Sequence, residues 1–138
     1  MNMTITEKHV DESHIDEVAR LIQNEKMIIN LDRNDVKVIL LGKEGMLYQA
    51  VQEEGVDHCT FMREFFGELI KKEYVKTCTS LMLSIGMCSE DPLMMDDMLI
   101  VQDFFDSFDN EIVEMKWGLK NSPAGSRMTL LAICAKDK

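Results

Sequence analysis

The chain has 138 residues, of which 46% are apolar, and its 15 basic and 25 acidic side chains give a net charge of −10. The length fits one domain of roughly 100–200 residues, and the apolar fraction excludes a disordered tail or a fibrous repeat. The negative charge disfavours nucleic acid and anionic membranes as partners, because both bind through clustered Lys and Arg side chains.

Localisation and redox state follow from other sequence features. The longest apolar run, 130–135, is far shorter than the roughly 20 residues that span a bilayer, and 1–12 lacks a secretory pattern, so we expect a cytoplasmic protein. The histidines lack the spacing of helical metal ligands, and we expect no metal site.

The cysteines form no Cys-x-x-Cys pair, and we interpret them as reduced core thiols: Cys59, Cys78, Cys88 and Cys134.

Apolar periodicity predicts four helices and four strands. The first helix begins near Ser13, and the second begins after Asp32 and ends before Gly42, because glycine tolerates the left-handed conformation of a helix end. Asp91 and Pro92 are typical of a helix start and predict the fourth helix. The predicted helices cover about 13–25, 33–41, 58–73 and 92–108, and the predicted strands cover about 45–52, 80–87, 113–119 and 127–135.

The order of these elements predicts an α/β (α+β) fold, a two-layer sandwich in which helices pack on a four-stranded mixed sheet. The last two strands should form a hairpin around a turn that contains Asn121, Pro123 and Gly125, with Trp117 buried on its inner face. The 12 methionines are expected to fill the core, with a methionine-lined binding groove as the alternative. We expect a single domain over 1–138, with an N-terminal extension at 1–12, a helical segment at 13–41 that includes the loop 30–36, and an α/β core at 45–135.

Motifs of self-contained enzymes are missing from the sequence. It has no glycine-rich phosphate loop, no Gly-x-Gly-x-x-Gly fingerprint and no Gly-x-Ser-x-Gly nucleophile elbow. The segment that stands out is NLDRNDV, residues 30–36, in which Asn30, Asp32 and Asp35 lie at the start of the second helix.

Two compatible interpretations apply to this segment. In the first, Asp32 is the N-cap and Asp35, three residues later, completes a capping box in the positive field of the helix start. In the second, two carboxylates and an amide hold and polarise a water or a cation, as phosphoryl hydrolysis requires. One aspartate can cap the helix while the other faces outwards.

The segment NLDRNDVKVIL resembles Asn-x-Asp-Phe-Ala-Asp-Val, which opens the C-terminal domain of FtsZ, the bacterial cell-division homologue of tubulin. The resemblance covers about 15–135 in the family's order. IDEVARLI is similar to the end of the family's central helix and GMLYQAV to the first strand of its C-terminal domain. FMREFFGELI and SLMLSIGM are similar to the next helix and strand, and EIVEMKWGLKNSPAGSRMTLLAIC to the closing hairpin, including the pair Trp117-Gly118.

The resemblance implies roles for the residues of the loop. In the family this loop reaches the GTP that the next subunit of a filament holds, and its aspartates activate hydrolysis there. Asp32 and Asp35 would then be catalytic in trans, as half of a shared site. Asn30 would contact the nucleotide side, and Arg33 belongs to the same partner-binding surface.

Three features of the sequence depart from the family. The N-terminal GTPase domain has no counterpart here, so this chain alone cannot form the family's nucleotide pocket. Arg33 and Asn34 stand where the family has Phe-Ala, which changes the charge of the loop. Met87-Cys88 stands where the family has a Gly-Gly turn before the last helix.

The resemblance predicts a protein interaction module in cell division and filament assembly, with FtsZ, another tubulin-family protein or a second copy of itself as partner. It implies no enzyme activity for the chain alone and no cofactor, with GTP supplied only by a partner. The alternative is a small enzyme or ligand-binding domain on a chorismate-mutase-like sandwich, with a pocket between the subunits of a homo-oligomer. A third possibility is a structural piece whose activity is oligomerisation. Because MTITEK does not continue a helical stripe, we expect a natural stand-alone domain that begins at Met1.

Overall fold

A computed structural model describes residues 3–22, 27–87, 93–108, 111–121 and 127–138. Within these ranges the chain forms six strands, five α-helices and a short 3-10 turn before the first helix. The strands are β1 Thr6–Asp11, β2 Met27–Ile29, β3 Lys43–Val51, β4 Ser80–Met87, β5 Glu114–Asn121 and β6 Thr129–Asp137. The helices are α1 Ile15–Ile22, α2 Arg33–Leu40, α3 His58–Leu69, α4 Glu73–Thr77 and α5 Met95–Asp106.

The strands form one mixed sheet in the order β1-β3-β6-β4-β5-β2. Strands β4 and β5 run parallel, and the other neighbouring pairs run antiparallel. Leu83 of β4 lies opposite Trp117 on one side and Ala132 on the other. Every residue of β4 is buried, as the centre of a sheet with helices on both faces requires.

The predicted four-stranded sheet and its closing hairpin are therefore wrong. Strand β4 lies between β5 and β6, so these two strands are not neighbours. The physical reason is that SLMLSIGM carries no charged side chain on either face. It is most stable where two strands cover its edges and helices cover its faces. The predicted turn beyond Asn121 lies outside the described residues.

Two edge strands were not predicted from the sequence. The segment 1–12, expected to be an extension, contains β1, which pairs with β3 in a register that places His9 opposite Met46. Most of β1 is exposed, so its sequence shows no apolar alternation. Strand β2 is only three residues long and pairs with β5. Short edge strands owe their conformation to their neighbour's backbone rather than to their own side chains.

The helices occupy both faces of the sheet, so the predicted two-layer sandwich is a three-layer arrangement. Helices α1 and α2 cover one face, where they pack against Leu47, Met82 and Ile133. Helices α3, α4 and α5 cover the other face, where Tyr48 and Leu83 lie. Alternate residues of the central strands enter the two cores, so both faces need a covering layer. The α/β class holds.

The helix predictions are right in position and differ at their ends. The apolar residues expected on the inner side of the first helix are buried in α1: Ile15, Val18, Ala19 and Ile22. The single helix predicted over 58–73 is two helices, because α3 ends at Leu69 and α4 begins at Glu73. The start signal Asp91-Pro92 and the predicted end of the first helix at 23–25 lie outside the described residues.

The cysteines and Trp117 were predicted to lie in the core, and the structure places them at different depths. Cys78 and Cys134 are buried, Cys59 is partly buried, and Cys88 lies outside the described residues. Trp117 is half-buried against the α3 side of the core rather than fully enclosed. Among the described helices, none is long and apolar enough to cross a membrane.

Candidate functional site

The loop 30–36 is fixed to the sheet through Leu31. This side chain is buried under α2 and packs directly on the backbone of Gly118 in β5. A Cβ atom at Gly118 would lie 2.5 Å from Leu31 Cγ, so a larger residue would push the loop away. The glycine of the Trp117-Gly118 pair therefore sets the position of the loop by allowing close approach.

The predicted capping box at the start of α2 is confirmed. The Asp35 backbone N–H donates to Asp32 Oδ1 at 3.1 Å, and the Asp32 backbone N–H donates to Asp35 Oδ2 at 2.9 Å. The two aspartates thus satisfy each other's backbone donors, which stabilises the first turn of α2. Both carboxylates take part in the cap, so the division into one capping and one outward aspartate is not what the structure shows.

Two ion pairs surround the cap. The Arg33 Nε donates to Asp16 Oδ1 of α1 at 2.6 Å, and its hydrogen bond and charge hold the pKa of Asp16 below its usual range. The Lys116 Nζ of β5 lies 3.6 Å from Asp35 Oδ1. Arg33 is therefore directed towards α1, and it does not neutralise the aspartates of its own loop.

The two aspartates differ in what remains available to a partner. The side chain of Asp35 is 24% exposed, and both of its oxygens face donors within the chain. Asp32 is exposed, and its cap bond uses only Oδ1. Asn30 is exposed as well. Both aspartates cap the helix, and Asp32 alone of the two also leaves its second oxygen, Oδ2, exposed to a partner.

Sequence reasoning missed the lysines of β5 that support this region. Lys116, Gly118 and Lys120 alternate along β5 and face the α1/α2 layer. The buried Lys120 Nζ donates to the carbonyl of Leu21 near the end of α1 at 2.8 Å, and burial lowers the pKa of this amine. The alternation in EMKWGLKN was the available signal, because two lysines and a glycine share one face.

A second cluster of polar groups lies inside the α3/α5 layer. The Asp97 Oδ1 accepts from Cys59 Sγ at 3.1 Å, and Oδ2 accepts from the Met94 backbone N–H at 2.9 Å. The His58 Nδ1 lies 3.9 Å from the same carboxylate. Hydrogen bonding to Asp97 raises the pKa of Cys59, so this thiol stays protonated and is a poor nucleophile. The cluster joins the starts of two helices.

Metal ligation finds no support in the described ranges, where no group of three His, Cys, Asp or Glu side chains is arranged to hold an ion. A groove of about 660 Å³ lies elsewhere, between the N-terminal segment and α3.

No protein-family model and no curated protein matches the chain by sequence. A crystal structure of TubZ from Bacillus thuringiensis serovar israelensis, in a GTPγS-form protofilament, is similar to 89% of this chain, with a TM-score of 0.58 and 10% identity. The fold is tubulin-like. The chain matches 32% of that TubZ chain, so it corresponds to about a third of its length.

A thiamine-monophosphate kinase from Stenotrophomonas maltophilia K279a aligns over 97% of this chain, but with a TM-score of 0.40 and 8% identity. A likeness at this level carries no argument about fold or activity. The tubulin-like fold is thus what the comparisons support, and the closer resemblance to FtsZ rests on the sequence motifs alone.

Proposed function

We propose that this tubulin-like chain is a protein interaction module that docks through the loop 30–36 on the GTP-bearing face of an FtsZ or other tubulin-family subunit. The observation that carries the proposal is the exposure of Asn30, Asp32 and Arg33 in a loop held by the capping box, on a tubulin-like fold. The capping box and the Leu31 anchor fix this loop before any partner binds, which reduces the entropy lost on docking.

The roles of the two aspartates follow from their surroundings. Asp32 presents an exposed carboxylate whose second oxygen can orient a water at a bound nucleotide. Asp35 is a positioning residue, because its oxygens hold the Asp32 backbone and face Lys116. Asn30 adds an amide that donates to and accepts from a nucleotide or its pocket.

The expected effect on filaments follows from having one docking face. A subunit that carries this loop and no nucleotide pocket joins one end of a filament but offers the next subunit nothing to bind. The chain should therefore cap filaments and shorten them at substoichiometric amounts. Where Asp32 reaches the nucleotide, the capped subunit should also turn over GTP faster.

The test mixes the purified chain with a purified tubulin-family GTPase of the same organism and measures filament length and phosphate release. The central variant is Asp32→Asn, which keeps a good N-cap residue but removes the charge. It should bind and shorten filaments yet lose the stimulation of GTP turnover. The matched control is Asp57→Asn, because Asp57 caps α3 through the Thr60 backbone N–H but lies outside the loop.

Two outcomes would contradict the proposal. Unchanged filament length and GTP turnover with equimolar wild-type chain would remove the docking function. Equal loss of stimulation in Asp57→Asn and Asp32→Asn would show that the loop has no special part in it.

A further inference from the structure

The loop 30–36 carries one cation, Arg33, directly beside the exposed carboxylate of Asp32. The proposed docking brings this carboxylate to a bound GTP, and the negative phosphates repel it. The charge of Asp35 is already countered by Lys116, whose Nζ lies 3.6 Å from Asp35 Oδ1. Whether the loop as a whole repels or attracts the nucleotide therefore depends on where the charge of Arg33 is directed.

The ion pair that holds Arg33 lies on the surface. The side chains of Arg33 and Asp16 are 53% and 67% exposed, and the contact joins Nε to Oδ1 at 2.6 Å. Ion pairs this exposed add little stability, because water screens the charges and solvates them when they separate. Among the described residues, the two terminal nitrogens of the guanidinium find no hydrogen-bond acceptor. Arg33 can therefore leave Asp16 for a more negative group at small cost.

The backbone at Arg33 is fixed although its side chain is exposed. Arg33 is the first residue of α2, between Asp32 and Asp35, which satisfy each other's backbone donors in the capping box. The guanidinium thus starts from a defined point beside the Asp32 carboxylate. A phosphate group binds the planar guanidinium through two parallel hydrogen bonds, whereas Asp16 engages only Nε. A docked interface also excludes water, which strengthens the contact with phosphate.

We propose that Arg33 leaves Asp16 on docking and acts as an arginine finger, a catalytic residue that this chain supplies to the GTP of its partner. The inference rests on the proposed docking through the loop 30–36. It assigns to Arg33 contact with the nucleotide itself, in addition to its place on the docking surface.

The reaction is hydrolysis of the bond between the β- and γ-phosphates. A water that Asp32 orients forms a bond from its oxygen to the γ-phosphorus, and the bond from that phosphorus to the bridging oxygen breaks. The electron pair of the broken bond stays on GDP. One proton of the water leaves with the phosphate, and the other goes to solvent. The donors of Arg33 stabilise the negative charge that develops on the bridging and γ-phosphate oxygens.

The experiment titrates the full chain into a purified tubulin-family GTPase of the same organism and measures phosphate release and filament length. The titration separates the maximal stimulated rate from the chain concentration that gives half of the effect. An arginine supplied in trans speeds GTP hydrolysis by roughly 10³–10⁵-fold in GTPases that use one. Arg33→Ala should therefore lower the stimulation by at least about tenfold, while filaments are still shortened.

The matched control is Asp16→Ala, which breaks the same ion pair from its other side. A purely structural role of the pair would make the two variants lose stimulation equally. An arginine finger predicts the opposite for Asp16→Ala, because Arg33 is then free before docking, so its maximal rate should equal or exceed that of wild type. Thermal melting should place both variants near wild type, since the pair is exposed.

Two further measurements address the guanidinium itself. Arg33→Lys keeps the charge without the planar fork, and it should shorten filaments yet reach a lower maximal rate than wild type. GDP with aluminium fluoride mimics the phosphoryl group in transfer, and transition-state analogues gain most from catalytic contacts. Wild type should bind the GTPase more tightly with this analogue than with GDP alone. Arg33→Ala should lose at least about tenfold of that gain.

Three results with an active wild-type chain would overturn the arginine finger alone. The first is a maximal rate of Arg33→Ala equal to that of wild type. The second is an equal loss of stimulation in Asp16→Ala and Arg33→Ala. The third is weaker binding of Arg33→Ala with an unchanged maximal rate, which would make Arg33 a docking cation. A wild-type chain that neither shortens filaments nor stimulates GTP turnover would instead contradict the proposed docking, and the arginine finger with it.

Discussion

Asp32 combines a capping oxygen with a negative charge, and the two can be separated by substitution. Asp32→Ala removes both and should lower the free energy of unfolding by about 0.5–2 kcal/mol, as loss of an N-cap does. Asp32→Asn keeps an acceptor for the Asp35 backbone N–H and should stay close to wild type. Urea denaturation measures both values. If the two variants lose equal stability, the charge rather than the cap stabilises α2.

Gly118 and Gly67 are both glycines within regular elements, and they should respond oppositely to alanine. Gly118→Ala places a methyl group 2.5 Å from Leu31 Cγ and should destabilise the fold by about 1–3 kcal/mol through overpacking. Gly67→Ala meets open space and should raise stability by up to about 1 kcal/mol through helix propensity. Thermal melting compares them. A stabilised Gly118→Ala variant would mean that Leu31 does not anchor the loop.

Asp11 at the end of β1 should contribute to stability in a pH-dependent way. Hydrogen bonds from the Ser13 hydroxyl and backbone N–H lower the pKa of Asp11 from 3.8 to about 2. A depressed carboxyl pKa in the folded state stabilises the fold above the unfolded pKa, and this contribution is lost as the pH falls towards about 2. The stability difference between wild type and Asp11→Asn, measured by thermal melting, should therefore shrink over this window. A constant difference would contradict the assignment.

Among the elements, strand β5 is paired on both sides, but the side chain of Trp117 on one of its faces is only partly buried. Trp117 lies opposite the fully buried Leu83 of β4 but is itself half-buried. Trp117→Ala should therefore cost about 1.5–2.5 kcal/mol, below the roughly 3–5 kcal/mol of a fully buried tryptophan. Leu83→Ala is the reference and should cost about 2–5 kcal/mol. Chemical denaturation measures the loss in free energy of unfolding. A much larger loss for Trp117→Ala than for Leu83→Ala would show that Trp117 is more deeply buried than the structure has it.

Elements with strong periodicity were predictable, and pairing between them was not. The inner face of α1 and the apolar run of β4 are visible in the sequence because burial selects their side chains. Strand β1 is mostly polar, and its conformation depends on the backbone of β3. The position of β4 between β5 and β6 depends on long-range contacts that no local pattern records.

At the scale of the whole molecule, the local features of the candidate site were predictable from the sequence and its long-range contacts were not. The capping box of Asp32 and Asp35 is a local pattern, and the sequence predicted it. The contact of Arg33 with Asp16 and of Asp35 with Lys116 joins distant segments, and the sequence did not predict either pair. Only the folded structure therefore shows which charges of the loop are paired and which remain exposed.

The isolated chain should neither bind nor hydrolyse GTP, because carboxylates already occupy the starts of three of its described helices, α2, α3 and α5, where phosphate would bind. Phosphate binds at a helix N-terminus through free backbone N–H groups in a positive field. In this chain Asp32 caps α2, Asp57 caps α3 and Asp97 accepts from the backbone at the start of α5. Each carboxylate satisfies a donor and repels an anion, and the net charge of −10 adds to the repulsion.

Equilibrium binding of labelled GTP with magnesium, and phosphate release from the chain alone, measure this directly. A tubulin-family GTPase under the same conditions is the positive control. Saturable binding at micromolar GTP would mean that a phosphate site exists that neither the sequence motifs nor the described helix starts provide.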